Sequence, residues 1–93
     1  MPAIIRVERC CPGSFRVTIT EGASKSSHTV SLSREYYEML TGMQVSQEVL
    51  IEQSFQFLLE NEPRESILQQ FDLPLIGRYF PDYESEIRRR LAG

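Results

Sequence analysis

The sequence has no tryptophan, one histidine, one lysine and two cysteines, and each shortage excludes some functions. His28 is the only side chain that ordinarily titrates near neutral pH, so acid–base catalysis has a single candidate. Cys10 and Cys11 are neighbours and cannot link distant segments, which excludes a secreted disulfide scaffold. No apolar run approaches 18 residues, and residues 1–9 are too polar for a signal peptide. We therefore expect a cytosolic protein without a membrane segment.

The motifs of common enzyme classes are also missing. The sequence contains no GxxxxGK[ST] phosphate loop, no GxGxxG turn, no GxSxG elbow and no HExxH helix. Two adjacent cysteines and one histidine give neither the number nor the spacing of ligands in a structural zinc site. A pair of catalytic carboxylates would need a cleft that 93 residues can scarcely build. We expect no enzymatic activity, no cofactor, no metal and no small-molecule substrate.

The overall composition of the sequence is typical of one globular domain. Of the 93 residues, 41% are hydrophobic and 25% are charged, which is enough for a single core without metals or disulfides. Residues 1–45 carry five basic and four acidic groups, whereas residues 46–93 carry five basic and nine acidic groups. An acidic helical half repels phosphate backbones, which argues against the whole domain being a nucleic-acid binder.

The first third of the chain alternates between apolar and polar residues with a period of two, which predicts strands covered on one face. The residues predicted to point inward are Ile5, Val7, Phe15, Val17, Ile19, His28, Val30 and Leu32. Pro12 and Gly13 form the signature of a type II turn between the first two strands. The polar stretch from Gly22 to Ser27 is predicted to be a loop. Residues 1–32 are therefore predicted to form a three-stranded antiparallel meander.

From Ser33 onward the pattern becomes helical. Ser33 and Ser46 are predicted N-caps, the first for a short helix ending near Gly42 and the second for the main helix. The main helix has a wide apolar arc, and its core residues are predicted to be Leu50, Ile51, Phe55, Leu58 and Leu59. That arc indicates burial on two sides.

Three further helices are predicted in the rest of the chain. Pro63 opens the first of them, in which the inward residues are Ile67, Leu68 and Phe71. A very short helix carries Leu75 and Ile76, and the last helix begins near Asp82. The whole chain, 1–93, is predicted to be a single α+β domain in which four to five helices (33–93) pack on one face of the three-stranded sheet (1–32).

The C-terminal half also carries a pattern that extends beyond helix periodicity. Its segments are SFQFLLE at 54–60, ESIL at 65–68, FDL at 71–73 and IGRYFPDY at 76–83. The pattern resembles that of a group of short bacterial proteins, with a looser match over residues 28–40. The resemblance implies a bacterial cytosolic protein, and it brings with it no activity and no site residue.

Three residues are candidates for reactivity. Cys10 and Cys11 could act as a redox pair or as nucleophiles with His28, but only Arg9 lies near them in sequence to favour a thiolate. The simpler interpretation places one thiol toward the core and the other at the turn. His28 shares the inward face of its strand with Val30, where a histidine bonded to backbone is the commoner arrangement.

Protein interaction is the function that remains after these eliminations. A three-stranded meander leaves its first and third strands as edges, and neither strand contains a proline that would block pairing with another chain. We expect a non-enzymatic module that binds a protein partner or itself, through the third strand or the first. The side chains expected to take part near the C-terminus are Arg78, Tyr79, Phe80 and Tyr83.

Two alternatives stay open. Residues 67–79 have the spacing of a helix-turn-helix, although its second helix would carry only one basic residue, Arg78. A nucleic-acid-associated regulator would be favoured if Arg6, Arg16 and Lys25 formed a basic patch. A small thiol-dependent enzyme would be favoured by a pocket joining His28 to a cysteine. The run from Arg88 to Arg90 is expected to be the solvated end of the last helix.

Overall fold

The computed structural model describes residues 3–92, which form a mixed sheet and a set of helices. In chain order the elements are β1 (Ile4–Cys11), β2 (Ser14–Glu21), β3 (Ser24–Ser31), α1 (Arg34–Thr41), α2 (Gln47–Asn61), a 3₁₀ turn (Arg64–Ser66), β4 (Gln70–Asp72), α3 (Leu75–Tyr79) and α4 (Tyr83–Ala92). The predicted α+β class, with its long strands ahead of the helices, is confirmed. No helix within residues 3–92 combines the length and the apolar character needed to cross a membrane.

The first three strands form the predicted antiparallel meander, but the second hairpin is tighter than expected. Glu21 pairs with Ser24, so only Gly22 and Ala23 connect β2 to β3. The predicted loop is therefore confirmed for Gly22 and Ala23 and wrong for residues 24–27, because strand pairing needs only backbone groups and small polar side chains do not prevent it. Gly22 has φ +60°, the left-handed conformation that a two-residue hairpin demands.

A fourth strand replaces the predicted third helix. After the 3₁₀ turn the chain extends, and β4 pairs in parallel with Thr29–Ser31, with Phe71 opposite Val30. The amide of Thr29 donates to Gln69 O at 2.7 Å, and the amide of Leu73 donates to Ser31 O at 2.9 Å. The sheet order is therefore β1-β2-β3-β4, a mixed sheet of four strands and not three antiparallel ones.

This fourth strand changes which edges of the sheet are open. β4 covers β3 at Thr29–Ser31, so the predicted docking through the third strand is wrong for these residues, and only the earlier part of β3 keeps a free edge. β1 lies at the other end of the sheet order and pairs with β2 alone. The long unpaired edge is therefore that of β1.

The predicted N-caps are present and fix where α1 and α2 begin. The hydroxyl of Ser33 accepts from the amide of Tyr36 at 3.1 Å, and the hydroxyl of Ser46 accepts from the amide of Val49 at the same distance. Gly42 ends α1 in the left-handed conformation, with φ +64°. Each cap satisfies a backbone group that the helix leaves unpaired.

The core lies between one face of the sheet and the helices. Most residues predicted to point inward are fully buried or nearly so, namely Phe15, Val17, Ile19, His28, Val30, Leu32, Leu50, Ile51, Phe55 and Leu58. Leu59 is partly buried and packs against this core, whereas Leu68 is 47% exposed, so the predicted inward position of Leu68 is wrong. Leu68 faces outward because the segment that carries it is extended and not helical.

Candidate functional site

A concave apolar surface that encloses a cavity of about 360 Å³ lies beside the C-terminal end of α2. We call it the apolar groove. Its walls come from α2, from the segment 66–71 and from α3, through Leu58, Glu62, Ser66, Ile67, Leu68, Phe71, Leu75, Ile76, Tyr79 and Phe80. This volume is within the range of ligand-binding pockets and can hold a few side chains of another molecule.

The groove exists because the chain reverses direction after α2. Glu62 ends the helix in an extended conformation, with φ −152°, and its amide donates to Leu58 O at 2.8 Å. The 3₁₀ turn and β4 then bring the chain back along β3. Ile67 and Ile76 are buried at the base of the groove, whereas Leu68 and Tyr79 are 47% and 66% exposed at its rim.

The aromatic residues predicted for interaction fall into two environments. Tyr79 and Phe80 both line the groove, and the ring of Phe80 packs edge-on against Phe57 with 5.7 Å between centroids. Tyr83 is fully buried, so its predicted place on an interaction surface is wrong. Its hydroxyl lies 2.7 Å from Ser54 Oγ, and burial raises the pKa of Tyr83 above its ordinary value. Tyr83 stabilises the core because its helix phase directs it there.

Arg78 is exposed on α3 and does not line the groove. The charged side chain that does is Glu62, which the sequence did not single out. Burial raises the pKa of the Glu62 carboxyl above its ordinary value. Among residues 3–92 no cation pairs with Glu62, whereas nearby Glu60 accepts from Arg90 at 2.6 Å. The groove is therefore apolar with one carboxylate that would gain from a cation.

His28 has a structural role beneath the groove. Its ring is 3% exposed and packs against Phe55 with 5.7 Å between centroids. His28 Nδ1 lies 2.7 Å from the carbonyl oxygen of Leu68, and Nε2 lies 3.0 Å from Ser26 Oγ. A carbonyl oxygen can only accept, so Nδ1 carries the proton that binds Leu68. This bond ties β3 to the segment that leads into β4.

The two cysteines lie away from this histidine. Both are exposed at the end of β1, so the expectation that one faces the core is wrong. Cys11 pairs with Ser14, whereas His28 pairs with Val17, three residues further along β2. That separation is about 10 Å along the strand, too far for a thiol and an imidazole to act together. In the described part of the chain, no three His, Cys, Asp or Glu side chains cluster closely enough to hold a metal ion.

The basic residues that would favour a nucleic-acid-associated regulator lie on the face of the sheet away from the helices. Arg6 pairs with Thr18, and Arg16 pairs with Glu8, which places both arginines on this face. Lys25 lies on it too, opposite Thr20. The carboxylate of Glu8 also lies 3.7 Å from Arg6, so it offsets part of the positive charge.

The predicted helix-turn-helix is absent, because residues 70–72 form a strand where its first helix would continue. The arginines at the end of α4 are also engaged within the domain. Arg90 bonds Glu60 and Glu86, and Arg89 bonds Glu86. Earlier in the same helix, Glu84 accepts from the hydroxyl of Tyr36 at 2.8 Å.

Comparisons of the chain with protein-family models, with curated proteins and with solved structures found no match. The resemblance to a group of short bacterial proteins therefore stays a prediction.

Proposed function

We propose that this protein is a non-enzymatic interaction module whose apolar groove holds an apolar segment of a partner protein. The observation that carries the proposal is the exposure of Leu68 and Tyr79 at the rim of a concave surface with a buried apolar base. Scattered exposed apolar residues are ordinary, but a concave cluster of them is typical of binding sites.

The composition of the groove supports a protein partner. Tyrosine is enriched among the residues that contribute most to protein interfaces, because its ring offers a large apolar area at little entropic cost. An amphipathic segment that inserts successive apolar side chains into a groove is a common mode of recognition. Leu68, Phe71 and Tyr79 would contact such side chains along the length of the groove.

The carboxylate of Glu62 defines the second property of the partner. A lysine or arginine next to the apolar residues of the segment would pair with Glu62, and such charge-assisted bonds are stronger than neutral ones. The cation would also favour the ionised carboxylate, whose pKa is raised in the free protein by burial. Binding is therefore expected to weaken as the pH falls and Glu62 becomes protonated.

Selection from a library of random displayed peptides tests the proposal for any partner of this chemistry. We expect the wild-type protein to enrich peptides with spaced apolar residues and one basic residue. Those peptides should lose binding to Tyr79→Ala and Leu68→Ser but keep it with Val49→Ala, a matched control, since Val49 is exposed outside the groove. Glu62→Gln should remove the preference for the basic residue. Enriched peptides that bind all of these variants equally would contradict the proposal.

Contact with nucleic acid is a second candidate, favoured by the shared face of Arg6, Arg16 and Lys25. A phosphate backbone could lie across this face, and its affinity would then fall steeply with salt. Fluorescence anisotropy with labelled single-stranded DNA and RNA tests this at low and physiological salt. If the sheet face binds, Arg16→Ala weakens binding and Tyr79→Ala does not.

A further inference from the structure

The strand β1 has one edge with no partner strand in the described chain, and that edge is eight residues long. Apart from its ladder with β2, β1 makes no backbone hydrogen bond with another part of residues 3–92. Unpaired edges of this length usually carry a device that prevents association, such as a proline, an inward charge or a covering loop. Near the C-terminal end of β1, Arg9 is such an inward charge: it lies on the core-side face opposite Phe15 and donates to Gln47 of α2, and a bulge follows it. Residues 4–8 contain no proline and no inward charge, since Arg6 and Glu8 lie on the open face of the sheet.

Those charges are arranged so that the strand is complementary to itself. The side chains of Arg6 and Glu8 are 74% and 53% exposed and lie on the same face, with Val7 between them on the core side. An antiparallel copy of β1 that places Val7 opposite its own counterpart brings Arg6 opposite Glu8 of the second copy. By symmetry it also brings Glu8 opposite Arg6 of the second copy, so two favourable pairs form at once.

Other registers of the same pairing are less favourable. When two copies join their sheets, the helices of both copies stay on one side only if residues of the same face lie opposite each other. A slip of the pairing by one residue would place open-face residues of one copy opposite core-side residues of the other. A slip by two residues in one direction puts Arg6 opposite Arg6, and in the other direction it puts Glu8 opposite Glu8. Like charges directly opposite are destabilising. Only the register centred on Val7 pairs unlike charges.

We propose that the edge of β1 is a self-association site at which two copies of this chain join their sheets in a twofold dimer centred on Val7. The partner is a second copy because the charge order of the strand matches its own reverse. This site is separate from the apolar groove, so it does not depend on the function proposed above. A contact made mainly by two eight-residue strands is smaller than a standard interface, and the dimer is therefore weak and concentration-dependent.

Sedimentation velocity from micromolar to sub-millimolar concentration tests the proposal with charge-reversal variants. Arg6→Glu places the introduced carboxylate opposite Glu8 at two symmetric positions, and Glu8→Arg places the introduced guanidinium opposite Arg6. Each variant alone is expected to associate roughly tenfold more weakly than the wild type. The double variant, Arg6→Glu with Glu8→Arg, restores unlike pairs and is expected to regain association.

A mixture of the two single variants gives the sharpest readout. One chain then carries two acids and the other two bases, so the mixture is expected to form a heterodimer that neither variant forms alone. Circular dichroism melts identify a variant that fails to fold, and the double variant keeps the same composition as the wild type. A wild-type chain that is monomeric at every concentration would overturn the proposal. So would association that persists in both single variants but disappears in Tyr79→Ala.

Discussion

The hydroxyl oxygens of Ser54 and Tyr83 lie 2.7 Å apart in the core and join α2 to α4. Ser54 Oγ also donates to the carbonyl oxygen of Leu50 at 2.8 Å, so the tyrosine hydroxyl is the donor in its bond with Ser54. Both residues are fully buried, and no polar side-chain atom of the pair is left without a partner. A polar contact of this kind fixes the relative position of two helices that apolar packing alone would leave free to slide.

Removal of this contact is expected to cost a measurable part of the stability. Tyr83→Phe deletes the donor but leaves Ser54 bonded within its helix, so we expect a loss of about 0.5–1.5 kcal/mol in the free energy of unfolding. The exposed Tyr79→Phe is the matched control and is expected to change stability little. Chemical denaturation measures both. Equal effects of the two substitutions would show that the buried hydroxyl contributes nothing.

His28 is expected to hold β4 in place through its bond to Leu68. In His28→Leu the carbonyl oxygen of Leu68 loses its donor, and because this acceptor is only partly buried we expect a loss at or below the lower end of the about 1–3 kcal/mol that a buried acceptor costs. Hydrogen exchange should then accelerate at the amides of Thr29 and Leu73, which bond across β3 and β4. Ser26→Ala removes only the weaker contact at Nε2 and should have a smaller effect. Unchanged protection at both amides would contradict this role.

Glu62 is expected to make the free energy of unfolding depend on pH, in a direction that follows from its raised pKa. The pKa of Glu62 is raised in the folded protein, so folding disfavours its ionised carboxyl. The free energy of unfolding is therefore expected to fall as the pH rises above the ordinary pKa of glutamate. Glu62→Gln is therefore expected to stabilise the protein at neutral pH and to have no effect at a pH low enough to protonate the carboxyl in both states. Glu60→Gln, which loses the bond to Arg90, should not stabilise at neutral pH. Melting curves at the two pH values decide this.

The cysteines provide a test of the hairpin. Because Cys10 and Cys11 are both exposed, both thiols are expected to react with a chromogenic disulfide reagent in the native protein, as readily as in the denatured one. An arrangement with one inward thiol would instead give a single reactive group before denaturation. A stoichiometry of one in the native protein would contradict the exposed arrangement.

Local chemistry made much of this fold predictable. Period-two alternation placed Val17 and Val30 in the core, and hydroxyl caps placed the starts of α1 and α2, because each depends on neighbouring residues only. The strand β4 was not predictable in this way. Ile67, Leu68 and Phe71 fit a helix as well as an extended chain, and the choice is made by pairing with a strand about forty residues earlier.

The candidate site was predictable only in part for the same reason. Tyr79 and Phe80 were predicted as candidate interaction residues, and both line the groove. Tyr83 was grouped with them, although the helix phase of α4 places it in the core. Glu62 lines the groove only because the chain reverses direction after α2, and no local sequence pattern predicts that reversal. A glutamate directly before a proline at the end of an apolar helix was the only signal in the sequence.

Isothermal titration of a single peptide selected on the wild-type protein shows whether the apolar groove binds an apolar segment with one basic residue. The titration is made at neutral pH with the wild type, Tyr79→Ala, Glu62→Gln and Val49→Ala. If the groove holds the peptide, we expect wild-type affinity for Val49→Ala, a loss of roughly tenfold or more for Tyr79→Ala, and a smaller loss for Glu62→Gln that vanishes when the basic residue of the peptide is replaced. Equal affinity for all four proteins would contradict binding in the groove.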